Sequence, residues 1–180
     1  LADYDKAIQL KPDDDVTYQS RGYAKQAIGD LDGALVDYTK AIELKPDDAF
    51  TYYYRGIAKQ GKVDMKGALD DFSKAIKLKP DHAGAYHNRG CLRYDSQDFT
   101  NALADFRRVL NLDSSEDYAR FRVWLARARL GEKRSATEEM QTFWNSHKTG
   151  APNDWPSKIF RFLMGQLPEG DFLKAAEDTD

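Results

Sequence analysis

The stretch KAIELKPDD, Lys40–Asp48, decides the fold because the chain contains it in three nearly identical copies. KAIQLKPDD begins at Lys6 and KAIKLKPDH at Lys74, so the copies start 34 residues apart. A fourth copy is due at Arg108, where the chain reads RVLNLDSS instead. A period of this length predicts an array of similar supersecondary units.

Aligning the copies defines three full units, 15–48, 49–82 and 83–116, preceded by a half unit at 1–14. Within a unit, apolar and small residues recur at spacings of three, four and seven, which indicates one face of an α-helix. Each full unit is therefore predicted to be a pair of helices, and the half unit supplies a second helix without its first. Positions are numbered below from the first residue of each unit.

Small residues at fixed positions predict that the two helices of a unit lie very close together. Glycine inside a helix costs up to about 1 kcal/mol relative to alanine, so its recurrence requires a packing reason. A proline near the end of each unit stops the second helix, and the aspartates after it are expected to cap the next one. These residues are Gly22, Gly56 and Gly90 at position 8, Ala34, Ala68 and Ala102 at position 20, and Pro12, Pro46 and Pro80 at position 32.

This pattern resembles the tetratricopeptide repeat (TPR) over about residues 1–116. The resemblance implies an all-α fold, a TPR-type α-solenoid of antiparallel helix pairs that forms a right-handed superhelix. Position 7 departs from the TPR pattern because it is arginine in place of leucine. We expect Arg21, Arg55 and Arg89 to reach carboxylates such as those of the next unit's aspartates.

Beyond residue 116 the repeated stretch is no longer recognisable, although the unit length persists. Residues 117–148 are predicted to form a divergent helix pair, in which Trp124 and Phe143 replace small residues and push the helices apart or rotate them. Residues 151–180 are predicted to form a weak, incomplete pair, all within one continuous solenoid domain. The segment from Phe121 to Ala176 is also similar to the region after the repeats in bacterial TPR lipoproteins of the new-lipoprotein-I type.

We expect no enzymatic activity, no cofactor and no metal site. Cys91 is the single cysteine and has no adjacent histidine in the sequence to activate it. His82 and His87 are five residues apart, which places them on different helical faces, so they are interpreted as surface or groove histidines and not as zinc ligands. No glycine-rich phosphate-binding loop occurs.

Composition and charge limit the partners. The formal net charge is −3, so no strong positive field favours nucleic acid. No run of 18 apolar residues occurs, so we expect no direct membrane insertion. Because the chain begins inside a repeat, we expect a fragment of a longer protein. Localisation stays open between the cytoplasm and, if the natural N-terminus carries a lipoprotein signal, the periplasm or outer membrane.

The TPR resemblance implies that partners bind a concave groove lined by the first helices. The groove residues implied here are mostly aromatic and uncharged. They are Tyr23, Phe50, Tyr53, Ile57, His87, Tyr94, Tyr118 and Phe121. A carboxylate clamp of the kind that grips chaperone tails is disfavoured, because among the matching positions only Asn88 has suitable chemistry.

The main hypothesis is a scaffold that binds a peptide or helix of another protein in this groove. One alternative is self-association through open repeat ends, at Tyr4, Ala7 and Ile8 and at residues 172–176. Another is a non-catalytic part of a larger enzyme or lipoprotein. Arginines between residues 120 and 134 either attract an acidic partner or form a solvated helix face.

Overall fold

The computed structural model of the chain describes residues 1–146, 158, 160–162 and 165. Regular secondary structure within them is entirely helical, which confirms the predicted all-α class. The helices are α1 (Ala2–Leu10), α2 (Asp15–Ala27), α3 (Leu31–Leu44), α4 (Ala49–Gly61), α5 (Met65–Leu78), α6 (Ala83–Asp95), α7 (Phe99–Leu112), α8 (Asp117–Arg129) and α9 (Lys133–Ser146). The pair predicted at 151–180 lies almost wholly outside the described residues.

The chain divides into two compact units, Leu1–Asp98 and Phe99–Asp180. In the first, each helix from α1 to α6 packs against the next one along the chain. In the second, α7 packs against α8 and α8 against α9.

Aspartates fix where the helices begin. Asp14 and Asp48 accept hydrogen bonds from the backbone N–H groups of Thr17 and Thr51, each at 3.1 Å, and so cap α2 and α4. Asp30 caps α3 in the same way by accepting from the Gly33 N–H at 2.9 Å. These contacts satisfy backbone donors that a helix N-terminus leaves unpaired.

Position 15 lies in the turn between the two helices of each unit and has a left-handed backbone. Gly29 and Gly131 adopt φ of 84° and 86° there. Val63 and Gln97 hold the same position in the intervening units, with φ of 64° and 65°. Glycine tolerates this conformation, whereas a β-branched valine is strained in it.

The predicted close contact between helices is confirmed in the first two full units. A Cβ added to Gly22 would lie 2.9 Å from the ring of Tyr38. One added to Gly56 would lie 2.7 Å from the ring of Phe72. Both rings are completely buried, so each glycine leaves the space that an aromatic side chain of the second helix fills.

The helix pair α8–α9 has the altered packing expected for it, and it is less closely packed than α2–α3 or α4–α5. Trp124 occupies position 8 and packs on Ala136 and Met140, while its Nε1 donates to Thr137 Oγ1 at 3.0 Å. Met140 stands at position 24, where the earlier units have an aromatic residue. The large ring is thus contributed by the first helix and the flexible side chain by the second, the reverse of the earlier units.

Arg21 and Arg55 reach carboxylates, as expected, but the carboxylates belong to their own or the preceding unit and not to the next one. Arg21 donates from Nε and Nη2 to the two oxygens of Asp37, at 2.8 and 2.6 Å. Lys25 lies 2.8 Å from the same carboxylate. Burial by itself raises the pKa of Asp37, but the hydrogen bonds from Arg21 and Lys25 outweigh it and hold the pKa below its usual value.

The next unit repeats this cluster, because Arg55 and Lys59 bind Asp71 at 2.8 and 2.7 Å. The arginines also reach back to the preceding second helix. Arg21 Nη1 donates to Asp5 at 2.7 Å, and the corresponding contacts are Arg55 to Thr39 at 3.4 Å and Arg89 to Ser73 at 3.2 Å. Each arginine therefore also binds the helix that precedes its own helix in the chain.

Candidate functional site

Five rings follow one another across the first helices of Leu1–Asp98, and we call them the aromatic chain. Its members in order of contact are Tyr23, Tyr54, Tyr53, His82 and Phe50. Successive ring centroids are 5.5, 5.5, 4.5 and 5.0 Å apart. These separations are typical of attractive aromatic contacts, so the rings form a continuous series of contacts.

The two ends of the aromatic chain are exposed and its middle is held by the core. Tyr23 is 58% exposed and Phe50 45%. Tyr54 stacks on buried Tyr38 at 6.2 Å, and Tyr53 contacts buried Phe72 at 6.0 Å. The exposed rings are therefore attached to a rigid base, and a partner would order few side chains on binding.

Tyr53 links α4 to α6. A Cβ on Gly84 would lie 3.0 Å from Tyr53 Oη, so the missing side chain at Gly84 admits the tyrosine hydroxyl. Burial raises the pKa of Tyr53, an effect that its hydrogen bond with Asn88 partly opposes. Asn88, the one residue with suitable chemistry for a carboxylate clamp, thus has a contact within the protein.

Gln19 performs the equivalent task between α2 and α4. Its Nε2 donates to Asp48 Oδ2 and Thr51 Oγ1, both at 2.6 Å. Asp48 and Thr51 form the N-terminal cap of α4, so Gln19 fixes one first helix against the start of the next. The helices that carry Tyr23 and Phe50 are therefore joined by hydrogen bonds.

His82 was interpreted as a surface or groove histidine, and its exposed fraction of only 8% corrects that interpretation. It is the N-cap of α6, where Nδ1 accepts from the Ala85 N–H at 3.3 Å. The corresponding residues Asp14 and Asp48 are caps too, and this alignment was the sequence signal that could have identified the role. Burial lowers the pKa of His82, and Lys79 lowers it further.

Three other predicted groove residues lie on α4 and α6. Ile57 is half-buried and packs against Phe72 and Leu92, so it contributes mainly to the core. Tyr94 is half-buried. His87 Nε2 lies 3.6 Å from Cys91 Sγ, which corrects the view that the thiol has no neighbouring histidine. The two residues are four apart, a spacing that places them on one helical face.

The predicted site residues of Phe99–Asp180 have different environments. Tyr118 is exposed, and its hydroxyl accepts a hydrogen bond from Arg122 Nε at 3.1 Å. Phe121 is only 7% exposed and belongs to a core cluster with Trp124 and Met140. Its prediction as a groove residue is therefore corrected, because its ring is already covered by the protein.

The arginines of α8 and α9 are largely engaged within the protein. The Cζ of Arg120 lies 3.4 Å from the centre of the Phe143 ring. Arg127 is buried and binds Glu132 and Glu139 at 2.8 and 2.5 Å. These contacts provide a structural role for both arginines and weaken the alternative of a basic surface for an acidic partner.

Metal ligands and membrane spans are two further classes of site. The described part of the chain contains no group of three or more His, Cys, Asp and Glu side chains able to hold a metal ion. Across residues 1–146 and the few described beyond them, no helix is both long enough and apolar enough to cross a membrane.

The fold and the aromatic chain define a helical-repeat protein. A family model described as the TPR repeat matches residues 22–63, and one described as the tetratricopeptide repeat matches residues 83–116. Both stretches of the chain therefore match the tetratricopeptide repeat, as the sequence pattern predicted. A search of curated proteins found no significant match.

Several solved structures have the same fold. MamA is 21% identical, with a TM-score of 0.74 over 81% of this chain and 85% of MamA. YrrB, described as "a TPR protein with an unusual peptide-binding site", is 22% identical, with a TM-score of 0.73 over 97% and 91% of the two chains. The first TPR of Spaghetti (RPAP3), bound to the HSP90 peptide SRMEEVD, is 24% identical, with a TM-score of 0.61 over 65% and 95%. At these identities the likeness shows the fold alone, and the predicted TPR-type solenoid class is confirmed.

Proposed function

We propose that this chain is a protein-interaction scaffold that binds an extended, uncharged segment of a partner protein along the aromatic chain. The observation that carries the proposal is the pair of exposed rings, Tyr23 and Phe50, joined through Tyr54, Tyr53 and His82. Large rings on a rigid base supply most of the binding energy at protein interfaces. TPR proteins are generally non-catalytic scaffolds, and we propose the same for this chain.

The charges of α2 and α4 favour an uncharged segment over an acidic tail. Arg21 and Lys25 are bound to Asp37, and Arg55 and Lys59 to Asp71. A carboxylate ligand would have to compete with these ion pairs, whose acidic members are buried.

Two structural neighbours support peptide binding as the class of function. YrrB is described as having a peptide-binding site, and the Spaghetti TPR holds an HSP90 peptide. Their low identity transfers no partner to this chain, so the nature of the bound segment rests on the aromatic chain itself.

The proposal is tested with peptides selected from a random 12-residue library on the immobilised protein at pH 7.5. Their affinities are then measured for the wild type and for the double variant Tyr23→Ala/Phe50→Ala by isothermal titration calorimetry. We expect binding to weaken at least about tenfold, because two interface rings are lost. Truncating these exposed ends is preferable to truncating Tyr53, which also supports the core.

Val36→Ala is the matched control, since Val36 is an exposed apolar residue on the second helix α3. It should leave peptide affinity unchanged. Equal affinity of the wild type and the double variant, with both folded by circular dichroism, would overturn the proposal.

Self-association through repeat ends stays a second, less supported candidate. On α1, Tyr4, Ala7 and Ile8 are half-buried, and Leu10 is exposed. Analytical ultracentrifugation across a wide concentration range tests it, and a constant monomer mass would exclude it.

A further inference from the structure

One residue of the aromatic chain differs in kind from its counterparts in the other repeats. Position 34 is aspartate at residues 14 and 48 but histidine at 82. Each of the three caps a first helix by accepting an N–H located three residues later, at 3.1 Å from Thr17, 3.1 Å from Thr51 and 3.3 Å from Ala85. An aspartate remains an acceptor throughout the neutral and mildly acidic range, whereas a histidine acceptor is lost on protonation.

The cap determines the tautomer of His82. Because Nδ1 accepts from the Ala85 N–H, the ring is neutral and its proton is on Nε2. Nε2 is buried and has no hydrogen-bond partner in the described part of the chain. The Ala85 N–H also reaches the His82 carbonyl at 3.1 Å, so the backbone retains a partner if the ring leaves.

A second proton on this ring would be placed unfavourably in three respects. It would sit on Nδ1 and face the Ala85 N–H, so that a donor would oppose a donor. The new positive charge would lie at the N-terminus of α6, where the helix dipole is already positive. The ring is also packed between Phe50 and Tyr53, at centroid distances of 5.0 and 4.5 Å, with little access to water.

The charged and titratable groups around His82 do not compensate for this. Lys79, at the end of α5, opposes a positive charge, and Asp81 favours it. Lys79 and Asp81 bind each other at 2.9 Å, which reduces the net effect of both. From α4 the ring meets the hydroxyl-bearing Tyr53 and the apolar Phe50. Burial and Lys79 lower the pKa of His82, and they outweigh the opposing effects of a backbone hydrogen bond of His82 and of Asp81.

We propose that His82 is a pH-sensitive helix cap: in its neutral form it closes the aromatic chain between Tyr53 and Phe50, and on protonation its ring leaves and interrupts the series of ring contacts that holds Phe50 in place. The consequence for a bound peptide rests on the proposed function, whereas the consequence for α6 does not.

The direction of the pH dependence follows from the lowered pKa. A histidine that is harder to protonate when folded contributes its full stabilisation above the pKa of the unfolded chain, about 6.5. That stabilisation decreases as the pH falls below this value. The stability that His82 contributes therefore starts to fall below about pH 6.5, and the cap of the folded chain is lost only as the pH passes through the lower, folded pKa.

NMR titration of the imidazole protons in the 180-residue chain tests the cap directly. His82→Asn identifies the His82 resonance and supplies a cap that does not titrate. The control variants His87→Gln and His147→Gln leave the His82 cap intact. We expect the His82 midpoint to lie below about 6.5, and the Ala85 amide shift to change with the same midpoint. A midpoint at or above 6.5, or an Ala85 amide that does not respond, would overturn the proposal.

Thermal unfolding gives a second readout. Between pH 7.5 and 5.5 the wild-type Tm should fall by roughly 2–4 °C more than that of His82→Asn. His82→Asp, which introduces the cap residue found at positions 14 and 48, serves the same purpose if the asparagine variant does not fold. Equal pH dependence in the wild type and the folded variant would count against the cap.

Peptide affinity tests the coupling to the surface. The probe is a library-selected peptide free of His, Asp and Glu, so that only the protein titrates in this range. At a pH about one unit below the His82 midpoint found by NMR, wild-type affinity should be about fivefold weaker than at pH 7.5, as expected for the loss of one ring contact. The affinity of His82→Asn should be the same at the two pH values. A wild-type affinity independent of pH would overturn the coupling. Absence of peptide binding at both pH values would overturn the proposed function, while the NMR titration still decides the cap.

Discussion

The ring of Phe72 occupies the space that a side chain at Gly56 would need, since a Cβ there would lie 2.7 Å from Phe72 Cε1. The same relationship joins Gly22 to Tyr38 at 2.9 Å. Each glycine sits inside a helix, where alanine is normally the better residue. The contact with the ring therefore explains why glycine recurs at a position that disfavours it locally.

Gly56→Ala is expected to destabilise the protein by about 1–3 kcal/mol, because the added methyl group overpacks a rigid contact. This loss exceeds the gain in helix propensity of up to about 1 kcal/mol. Chemical denaturation followed by circular dichroism measures it. In a double-mutant cycle with Phe72→Leu, the double variant should be destabilised by less than the sum of the two single variants, because the leucine side chain leaves room for the added methyl group. A stabilising Gly56→Ala would contradict the contact.

Val63→Gly is expected to stabilise the protein by about 0.5–1 kcal/mol. Val63 has φ of 64°, a conformation that is strained for a β-branched residue and normal for glycine. Its side chain is largely exposed, so little packing is lost. The control is Val36→Gly, at an exposed valine within helix α3. This substitution should lower the free energy of unfolding by about 1 kcal/mol. If both substitutions destabilise equally, the turn carries no strain.

Asp37→Asn is expected to destabilise the protein by about 3 kcal/mol, because it leaves Arg21 and Lys25 without their buried counter-charge. The exposed carboxylate Asp32, bound to Lys62 at 2.6 Å, is the control, and Asp32→Asn should change stability by less than about 0.5 kcal/mol. Urea denaturation at pH 7 distinguishes the two. Similar effects of both substitutions would show that burial of the carboxylate does not matter.

The same aspartate predicts an acid-dependent loss of stability. The pKa of Asp37 is lowered in the folded chain, so its stabilisation is complete above the unfolded value of about 3.9. It is lost as the pH falls through the lower folded value. Wild type and Asp37→Asn should therefore approach each other in stability below about pH 4. A constant difference down to pH 2 would contradict the assignment.

Trp124→Gly is expected to destabilise the protein by about 3–5 kcal/mol by creating a cavity beside Ala136. Adding Met140→Phe should recover part of this loss, because it recreates the glycine and aromatic pair of the earlier units. Urea denaturation of the single and double variants tests the exchange. A double variant no more stable than Trp124→Gly would show that the two side chains do not substitute for each other.

The helix pairs and their contacts were predictable because they depend on residues that recur at fixed spacing. Gly22, Gly56 and the aspartate caps belong to this class, since each is constrained by its own helix or by the helix beside it. The partner of Arg21 was not predictable in the same way. Its guanidinium can reach several carboxylates, and only the folded geometry selects Asp37.

Individual side chains departed from the repeat in ways that the spacing does not reveal. A polar side chain at a cap position is not expected to be buried. The burial of His82 results from the neighbouring rings of Phe50 and Tyr53. Phe121 falls at a groove position by alignment, but it is covered because the packing around Trp124 is altered. His87 and Cys91 could have been related from their spacing of four alone.

The two-sided contacts of the arginines also determine how much the repeat can change in length. Arg21 binds Asp5 and Asp37, which lie 16 residues before and after it. An insertion of one residue within α3, between Ala34 and Asp37, would shift Asp37 by about 100° around the helix relative to Ala34, away from the guanidinium. Loops at protein surfaces usually tolerate added residues, so the turn at 28–30 is less constrained than the helix. Such a chain can gain or lose residues in its turns, or whole units, more easily than single residues within a helix.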